Sequence, residues 1–335
     1  MRIIVTGGCG FIGSNLIKRI ISKTNWEILN IDSLTYASSE SSLKDVKNSS
    51  KYSFLKMDIQ DKKKLERSIF DFSPNYIMNL AAESHVDNSI ESPENFINTN
   101  ILGTYNLLRI TSNFLKKQKI NSKFIYHQIS TDEVYGSLSS SEKPFTEQSP
   151  YMPSSPYSAS KSSSDHLVHA WNKTFKLPTI ITNCSNNYGP YQHKEKLIPK
   201  VIFNALNNKK IPIYGSGKNI RDWIFVEDHA DALIKVARRG KAGETYNIGA
   251  HQEYSNIDLV KEICTYLDSK VPKNCSYLDQ IEFVDDRPGH DFRYAIDSRK
   301  IEKNLGWKAK IELKKGIKKT VDWYIKELNN SKSLG

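Results

Sequence analysis

The amino-acid sequence predicts an α/β protein with a doubly wound parallel sheet and a second, smaller α/β lobe. Three observations carry that prediction. The first half alternates short apolar runs of β type with helix-compatible segments, the pattern of a parallel sheet covered on both faces. A glycine-rich turn, Gly7-Gly8-Cys9-Gly10-Phe11-Ile12-Gly13, joins the first of these runs to an apolar helix start. Beyond Gly189-Pro190 the elements shorten and turns become frequent, as expected of a smaller substrate lobe.

In chain order, strands are expected at residues 2–6, 27–31, 52–57, 76–80 and 123–129, with a further strand at 179–184 after Pro178. Long helices are expected at about 93–117 and 158–175, the second preceded by the extended, proline-broken stretch 150–156. A helix at 228–239 and a strand at 244–248 return the chain to the first sheet. The lobes therefore interleave: residues 1–187 with the returning segment 222–250 form one, and 188–221 with 251–335 form the other.

A chain of 335 residues can bury one large core or two modest ones. With 38% hydrophobic and 25% charged residues it has the composition of a folded protein. No apolar run approaches the ~20 residues needed to span a bilayer, so no membrane partner is expected. The N-terminus enters a strand directly and lacks the apolar core and cleavage site of a secretory signal, which predicts the cytoplasm. Cys9, Cys184, Cys264 and Cys275 are scattered without zinc-ligand spacing, which predicts free thiols and no metal site. The formal charge of +11 comes from dispersed lysines, not from an arginine-rich stripe. It predicts no nucleic-acid partner, although a basic field favours anionic small molecules.

The glycine run satisfies both Gly-x-x-Gly-x-x-Gly and Gly-x-Gly-x-x-Gly between a strand and a helix, the context of a dinucleotide-binding Rossmann fold. Its early glycines permit positive φ and close approach of a pyrophosphate to the helix N-terminus, and Gly13 permits close packing of the helix. Asp32 ends the second strand 19 residues after Gly13, where a carboxylate accepts hydrogen bonds from ribose hydroxyls and repels an extra phosphate. NAD is thus expected over NADP. Asp58 at the end of the next strand reads either as an adenine-side contact or as a helix cap.

Tyr157-Ser158-Ala159-Ser160-Lys161 puts a phenol and an ammonium one helical turn apart. The spacing alone carries little: of 17 tyrosines, Tyr52, Tyr157, Tyr214 and Tyr266 all have lysine at the fourth position onward. What distinguishes Tyr157 is its helix start after the fifth strand of a dinucleotide fold. There Lys161 can hold the cofactor ribose and favour a phenolate, which takes a proton from a substrate hydroxyl as its carbon gives up hydride. Ser130-Thr131-Asp132-Glu133-Val134-Tyr135-Gly136 follows that strand at the edge where ligands of parallel sheets bind. The same residues also read as a helix N-cap.

These motifs, together with Leu80-Ala81-Ala82-Glu83-Ser84-His85-Val86-Asp87, Asn186-Asn187-Tyr188-Gly189-Pro190, Arg221-Asp222-Trp223 and Asp286-Arg287-Pro288-Gly289-His290-Asp291, resemble the extended short-chain dehydrogenase/reductase superfamily. More narrowly, the chain resembles the dTDP-glucose 4,6-dehydratases almost from end to end. Cys9, where that family often has alanine, exchanges one small residue for another.

The resemblance implies a catalytic set of Thr131, Asp132, Glu133, Tyr157 and Lys161. Tyr157 would act as base toward the sugar C4 hydroxyl, with Thr131 bonded to the C4 oxygen. Glu133 would remove the C5 proton and Asp132 would protonate the departing C6 hydroxyl, giving dTDP-4-keto-6-deoxyglucose and water for deoxysugar (rhamnose-type) biosynthesis. It implies tightly held NAD, regenerated in each cycle, on Gly7, Gly10, Phe11, Ile12, Gly13, Asp32, Ser33, Leu34, Thr35, Asp58, Ile59, Leu80, Ala81, Ala82, Ser84, Thr99, Tyr157, Lys161 and Asn187. The nucleotide sugar falls to Ser84, His85, Asp87, Thr131, Asn186, Lys196, Leu197, Pro212, Ile213, Tyr214, Arg221, Asn256, Asp286, Arg287 and His290. Arg221 and Arg287 suit a diphosphate, although an isolated arginine is more often a surface residue. His85, His166 and His169 have no matched acidic ligands and read as structural or substrate-lining.

A homodimer through the helices at 93–117 and 158–175 is likewise implied. Rival readings are a nucleotide-sugar 4-epimerase, a decarboxylase, a UDP-sugar 4,6-dehydratase and, from another class, a non-catalytic NAD sensor. An epimerase needs neither a C5 base nor a C6 acid, and a sensor needs only the cradle, so the Asp132-Glu133 pair favours dehydration.

Overall fold

Each apolar run of the first half folds as a strand in the computed structural model, which describes residues 1–118 and 124–332. The strands are β1 (Arg2–Thr6), β2 (Glu27–Asp32), β3 (Tyr52–Lys56), β4 (Tyr76–Asn79), β5 (Ile125–Thr131) and β6 (Thr179–Cys184). Lys123, the expected first residue of the fifth strand, lies outside the described residues. The sheet runs β3-β2-β1-β4-β5-β6 with every pair parallel. A later strand, Thr245–Ile248, adds to β6 in parallel and makes seven. The order reverses direction between β1 and β4, and ligands of such sheets bind at the carboxyl ends beside that switch.

Helices cover both faces because both faces are apolar. Ile3, Val5, Ile28 and Met78 pack in one buried cluster with Leu16, Ile17 and Ile20 of α1 (Phe11–Lys23). Ile4, Ile31, Ile77 and Tyr126 pack in another with Leu65 and Ile69 of α2 (Lys62–Phe72). Burying a side chain of this size contributes about 1.5–3 kcal/mol, so each face of the sheet is held by its own helix layer.

The expected helix at 93–117 is interrupted. After α3 (Val86–Glu91) and α4 (Pro93–Phe96), a π-helical stretch at Ile97–Gly103 leads into α5 (Thr104–Gln118). π-turns release backbone groups for other partners. Here the Asn100 carbonyl accepts from Ser164 Oγ at 2.6 Å, and the Asn100 side chain bonds Glu83 N, Glu83 O and Ser160 Oγ at 2.9, 3.0 and 2.8 Å. Apolar periodicity carries no sign of this shift.

The helix expected at 158–175 begins two residues earlier, as α6 (Pro156–Phe175). Pro156 fits the first turn, where no amide donor is needed, and Ser155 and Ser158 form a capping box. Tyr157 is thereby fixed inside the first turn. The helix expected at 228–239 likewise starts earlier, at Val226, and runs to Arg239. It packs on α1, where Arg19 grips Asp231 through Nε at 2.9 Å and Nη2 at 2.7 Å.

The remaining elements build a smaller unit. Asn186–Tyr188 and Arg293–Tyr294 pair in parallel with Ile220–Phe225, and Glu253–Ser255 pairs with it antiparallel. Ile211–Tyr214 pairs with Ile281–Val284. Its core gathers Ile202, Trp223, Phe225, Leu259, Ile263 and Ile317. Among the described residues, no helix is long and apolar enough to cross a membrane, and no cluster of three or more His, Cys, Asp or Glu could hold a metal.

Candidate active site

The carboxyl ends of β1, β4, β5 and β6 open onto a cleft of about 710 Å3. At one end lies the glycine turn. Gly7 has φ +69°, and a Cβ there would stand 2.7 Å from the Ala81 amide nitrogen. A Cβ on Gly13 would stand 2.3 Å from the Gly7 carbonyl oxygen, so Gly13 seats α1 against the turn itself. Gly10 caps α1 with no side-chain bond, and the first turn carries no acidic residue. Free N–H groups at the positive end of a helix are a site for a pyrophosphate. Asp32 is 5% exposed at the end of β2 and is oriented by the Cys9 and Leu34 amides, both at 2.8 Å. A dinucleotide fits these residues.

The cleft is lined along its length by Gly7, Gly10, Phe11, Ile12, Gly13, Asp32, Ser33, Thr35, Asp58, Ile59, Leu80, Ala81, Ala82, Ser84 and Thr99. Thr131, Asp132, Glu133, Tyr157, Lys161, Asn186, Asn187 and Lys196 line it further on. Leu34 does not: it sits at φ 58° and packs against the hydrophobic core, so only its amide serves this region. Asp58 is not the cap of α2. It accepts from the Gln60 amide at 2.8 Å, and Asp61 caps the helix through the Lys64 amide at 3.2 Å.

Thr131 plays both roles that its sequence permits. Its Oγ1 accepts from the Glu133 amide at 3.3 Å, capping a 3-10 turn at Asp132–Tyr135, and it lines the cleft. Burial raises the pKa of both following carboxyls, but their neighbours differ. Asp132 goes well above the usual carboxylate range, first through burial and then through the charges of Glu133 and Asp222. Its Oδ2 is buried without a hydrogen-bond partner. Glu133 is raised by burial and pulled back by Arg287, Lys196 and Arg221. Adjacent carboxyls in such contrasting fields are suited to opposite protonation states.

Tyr157 is 8% exposed, and its phenol is raised well above its ordinary value by burial, then by Glu133, Cys184 and Asp132. The Thr131 hydroxyl draws it back. Lys161, expected to act on the phenol, donates to the Ile129 carbonyl at 2.8 Å. Burial lowers its pKa, and Asp165 and Cys184 raise it.

The remaining predicted residues stand beside the cleft, toward the smaller unit. Lys196 donates to the Ser84 carbonyl at 2.7 Å. Asp87 accepts from Tyr214 at 3.3 Å and pairs with Arg287 at 3.4 Å, while Asp286 and His290 pair at 2.6 Å. Arg221 is 5% exposed, held by the Ile220 and Asp291 carbonyls at 2.7 and 2.8 Å, with its guanidinium 4.2 Å above the Tyr294 ring. His85 caps α3, Pro212 and Ile213 lie in the Ile211–Tyr214 strand, and Leu197 and Asn256 begin helices. His166 and His169 lie on α6, the former against the Tyr151 ring at 5.4 Å.

Sequence reasoning missed Tyr36, Glu83, Asn88, Gln192, His193 and Glu195, which also line the cleft. Glu83 lay inside the quoted 80–87 motif and could have been named from its position. The Tyr36 and His193 rings meet edge to face at 5.6 Å from opposite sides of the sequence, and no local pattern announces that.

The family described as GDP-mannose 4,6 dehydratase matches residues 4–320. The chain is 55% identical to dTDP-glucose 4,6-dehydratase 1 of Escherichia coli K12, across 99% of this chain and 96% of that one. It is 52% identical to the dTDP-glucose 4,6-dehydratase of Haemophilus influenzae, across 99% and 100%. In structure it resembles a dTDP-glucose 4,6-dehydratase of Streptomyces venezuelae crystallised with NAD, with a TM-score of 0.90 and 38% identity over 98% of both chains. A UDP-glucose 4-epimerase of Thermotoga maritima shares the fold with a TM-score of 0.86 at 26% identity, over 98% and 100%.

Proposed function

The chain belongs to the dTDP-glucose 4,6-dehydratases, NAD-dependent hydro-lyases, and from that premise we propose how its own side chains divide the conversion of dTDP-glucose to dTDP-4-keto-6-deoxyglucose and water. The observation that carries this division is the contrast between Asp132 and Glu133 within one cleft with Tyr157.

The glycine turn, the α1 N-terminus and Asp32 hold the dinucleotide, and Lys161 and Asn187 border its far end. When bound there, NAD would supply a reversible hydride acceptor for C4 oxidation and C6 reduction. Burial alone leaves the Tyr157 phenol neutral, so it would take up the C4 hydroxyl proton only after giving up its own beside the Lys161 ammonium and the positive nicotinamide of bound NAD, while Thr131 bonds the C4 oxygen. The ketone so formed acidifies C5. Glu133, kept basic by three cations, takes the C5 proton, while Asp132, kept acidic by burial and by two carboxylates, gives its proton to the C6 hydroxyl. The C6–O bond breaks and water leaves. Glu133 returns its proton to C5 as C6 is reduced, so the sugar loses one water with no net oxidation. Arg221, Arg287 and Lys196, the cations that bear on Glu133, would also hold the diphosphate, which ties a filled nucleotide site to the state of the base.

Glu133→Gln tests this division. Incubated with dTDP-glucose in deuterated water, it is expected to keep hydride transfer at C4 and to lose solvent exchange at C5. Undiminished C5 exchange removes Glu133 from the base role.

We also assign a homodimer. Ile97 and Leu102 of the π-helical stretch and Phe175 at the end of α6, two elements that pack together, are exposed at 48%, 47% and 49%, apolar side chains suited to a second copy. The free thiols Cys9, Cys184 and Cys264 are buried in the fold, which suits the reducing cytoplasm.

A further inference from the structure

Behind the reactive pair lies a buried carboxylate that the reaction as described does not use. Asp165 stands one turn beyond Lys161 on α6, on the same face, and is fully buried. Its Oδ2 accepts from Ser130 Oγ at 2.5 Å and from the Tyr151 hydroxyl at 3.3 Å. Tyr151 in turn accepts from Asn183 Nδ2 of β6 at 3.1 Å. One carboxylate therefore joins the end of β5, the segment before α6, β6 and α6 itself. Two of those elements, β5 and α6, carry Thr131, Tyr157 and Lys161, and the 3-10 turn that bears Glu133 follows directly on β5.

The other oxygen, Oδ1, is buried and has no hydrogen-bond partner. For a part that only braces neighbouring segments this is costly, since a buried unpaired acceptor costs about 1–3 kcal/mol. As counter-charge to a cation the arrangement has a purpose. Lys161 is 4% exposed and donates to a neutral carbonyl, so burial works against its charge. Asp165 is the first of the charges that restore it. The groups facing the pair from other elements are Tyr126 of β5, Tyr135, Tyr151 and Cys184 of β6. Burial raises each of these above its ordinary value, so all are neutral near pH 7. Burial also pushes the Asp165 carboxyl up to about 7, against the opposing pull of Lys161, so it is on the alkaline side of that value that Asp165 stands as the charged partner of Lys161.

We propose that Asp165 is a positioning residue for the dehydration: one turn from Lys161 on the same buried helix face and bonded to Ser130 at the end of β5, it is the counter-charge that keeps the Lys161 ammonium charged. The inference rests on the reading in which Lys161 serves the reaction as a cation. It differs from a bracing role in what it asks of pH. Without the carboxylate, Lys161 loses its proton at a lower pH, and activity that needs the ammonium ends earlier on the alkaline side.

The test compares the pH profile of kcat for the NAD-loaded wild type and Asp165→Asn, which keeps the shape and one acceptor oxygen. The alkaline limb of the variant is expected to fall about one pH unit or more below that of the wild type. A limb that does not move, whether or not turnover drops uniformly, overturns the proposal. A second measurement needs no Asp165 variant. In wild-type protein with lysine labelled at Cε with carbon-13, and with the Lys161 signal assigned by its loss in Lys161→Met, Lys161 is expected to stay protonated across the pH range in which turnover is retained. A neutral Lys161 within that range overturns it. Failure of the underlying reading has a separate signature, wild-type protein that makes no 4-keto-6-deoxy sugar.

Discussion

At the scale of single residues, burial raises both members of the Asp132-Glu133 pair, and what separates them is the sign of their further neighbours. A base with a raised pKa is lost to protonation as pH falls through that value, which lies above the usual 4.5 for glutamate. The acid limb of kcat therefore belongs to Glu133 and stands above that value. Arg287→Gln removes a cation that restrains the rise and is expected to move the limb to still higher pH. An unmoved limb in that variant removes Arg287 from the control of Glu133. Asp132→Asn removes the C6 acid and is expected to lower kcat by ~10²–10⁴-fold, the usual share of a general acid, read from initial rates. The pair and the Tyr157–Lys161 spacing were legible because each is local in the chain. Two things were not: Lys161 donates to a main-chain carbonyl, and Leu34 turns away through a left-handed backbone. Both depend on contacts or dihedrals that residue type does not encode.

At the scale of elements, the strands followed from apolar runs, because a central parallel strand must be apolar on both faces. The π-helical turn at Ile97–Gly103 did not follow, since its altered hydrogen bonds leave the apolar spacing nearly unchanged. Polar contacts between strands were equally silent. His127 of β5 bonds the Tyr76 hydroxyl of β4 at 3.1 Å and Thr182 Oγ1 of β6 at 3.0 Å, all buried. Burial lowers its pKa to about 3, and that of His229 to about 3. Groups depressed in the fold contribute fully above the unfolded value of 6.5, and that stability is lost as pH falls from there toward 3. Each histidine is expected to remove about 1.4 kcal/mol per pH unit below the unfolded value. Urea unfolding at successive pH values reads this, and a midpoint flat from neutrality to about pH 5 contradicts neutral burial of the pair. In the cradle, Gly13→Ala drives a Cβ into the Gly7 carbonyl. It is expected to abolish copurification of NAD, checked by absorbance of the released cofactor.

For the whole molecule, the informative fact is convergence across long sequence distances. Arg221 and Arg287 lie in the later part of the chain, yet both act on Glu133 of the first half. Sequence reading could name these arginines only through family resemblance, because taken singly each looks like a surface residue. Only 5% exposed and held by carbonyls, Arg221 is instead part of the site wall. The apolar face bearing Ile97, Leu102 and Phe175 belongs to the same scale. Sedimentation is expected to give twice the chain mass of 38.3 kDa, and Leu102→Glu with Phe175→Glu to give the single chain mass. Wild-type protein that sediments as a single chain contradicts the dimer.

The central claim is that one cleft oxidises, dehydrates and reduces the same sugar with a cofactor it keeps. Purified protein, given dTDP-glucose and no added NAD, is expected to yield a product lighter by one water on mass spectrometry. A product of unchanged mass epimerised at C4, or no product from protein that carries NAD, would contradict it.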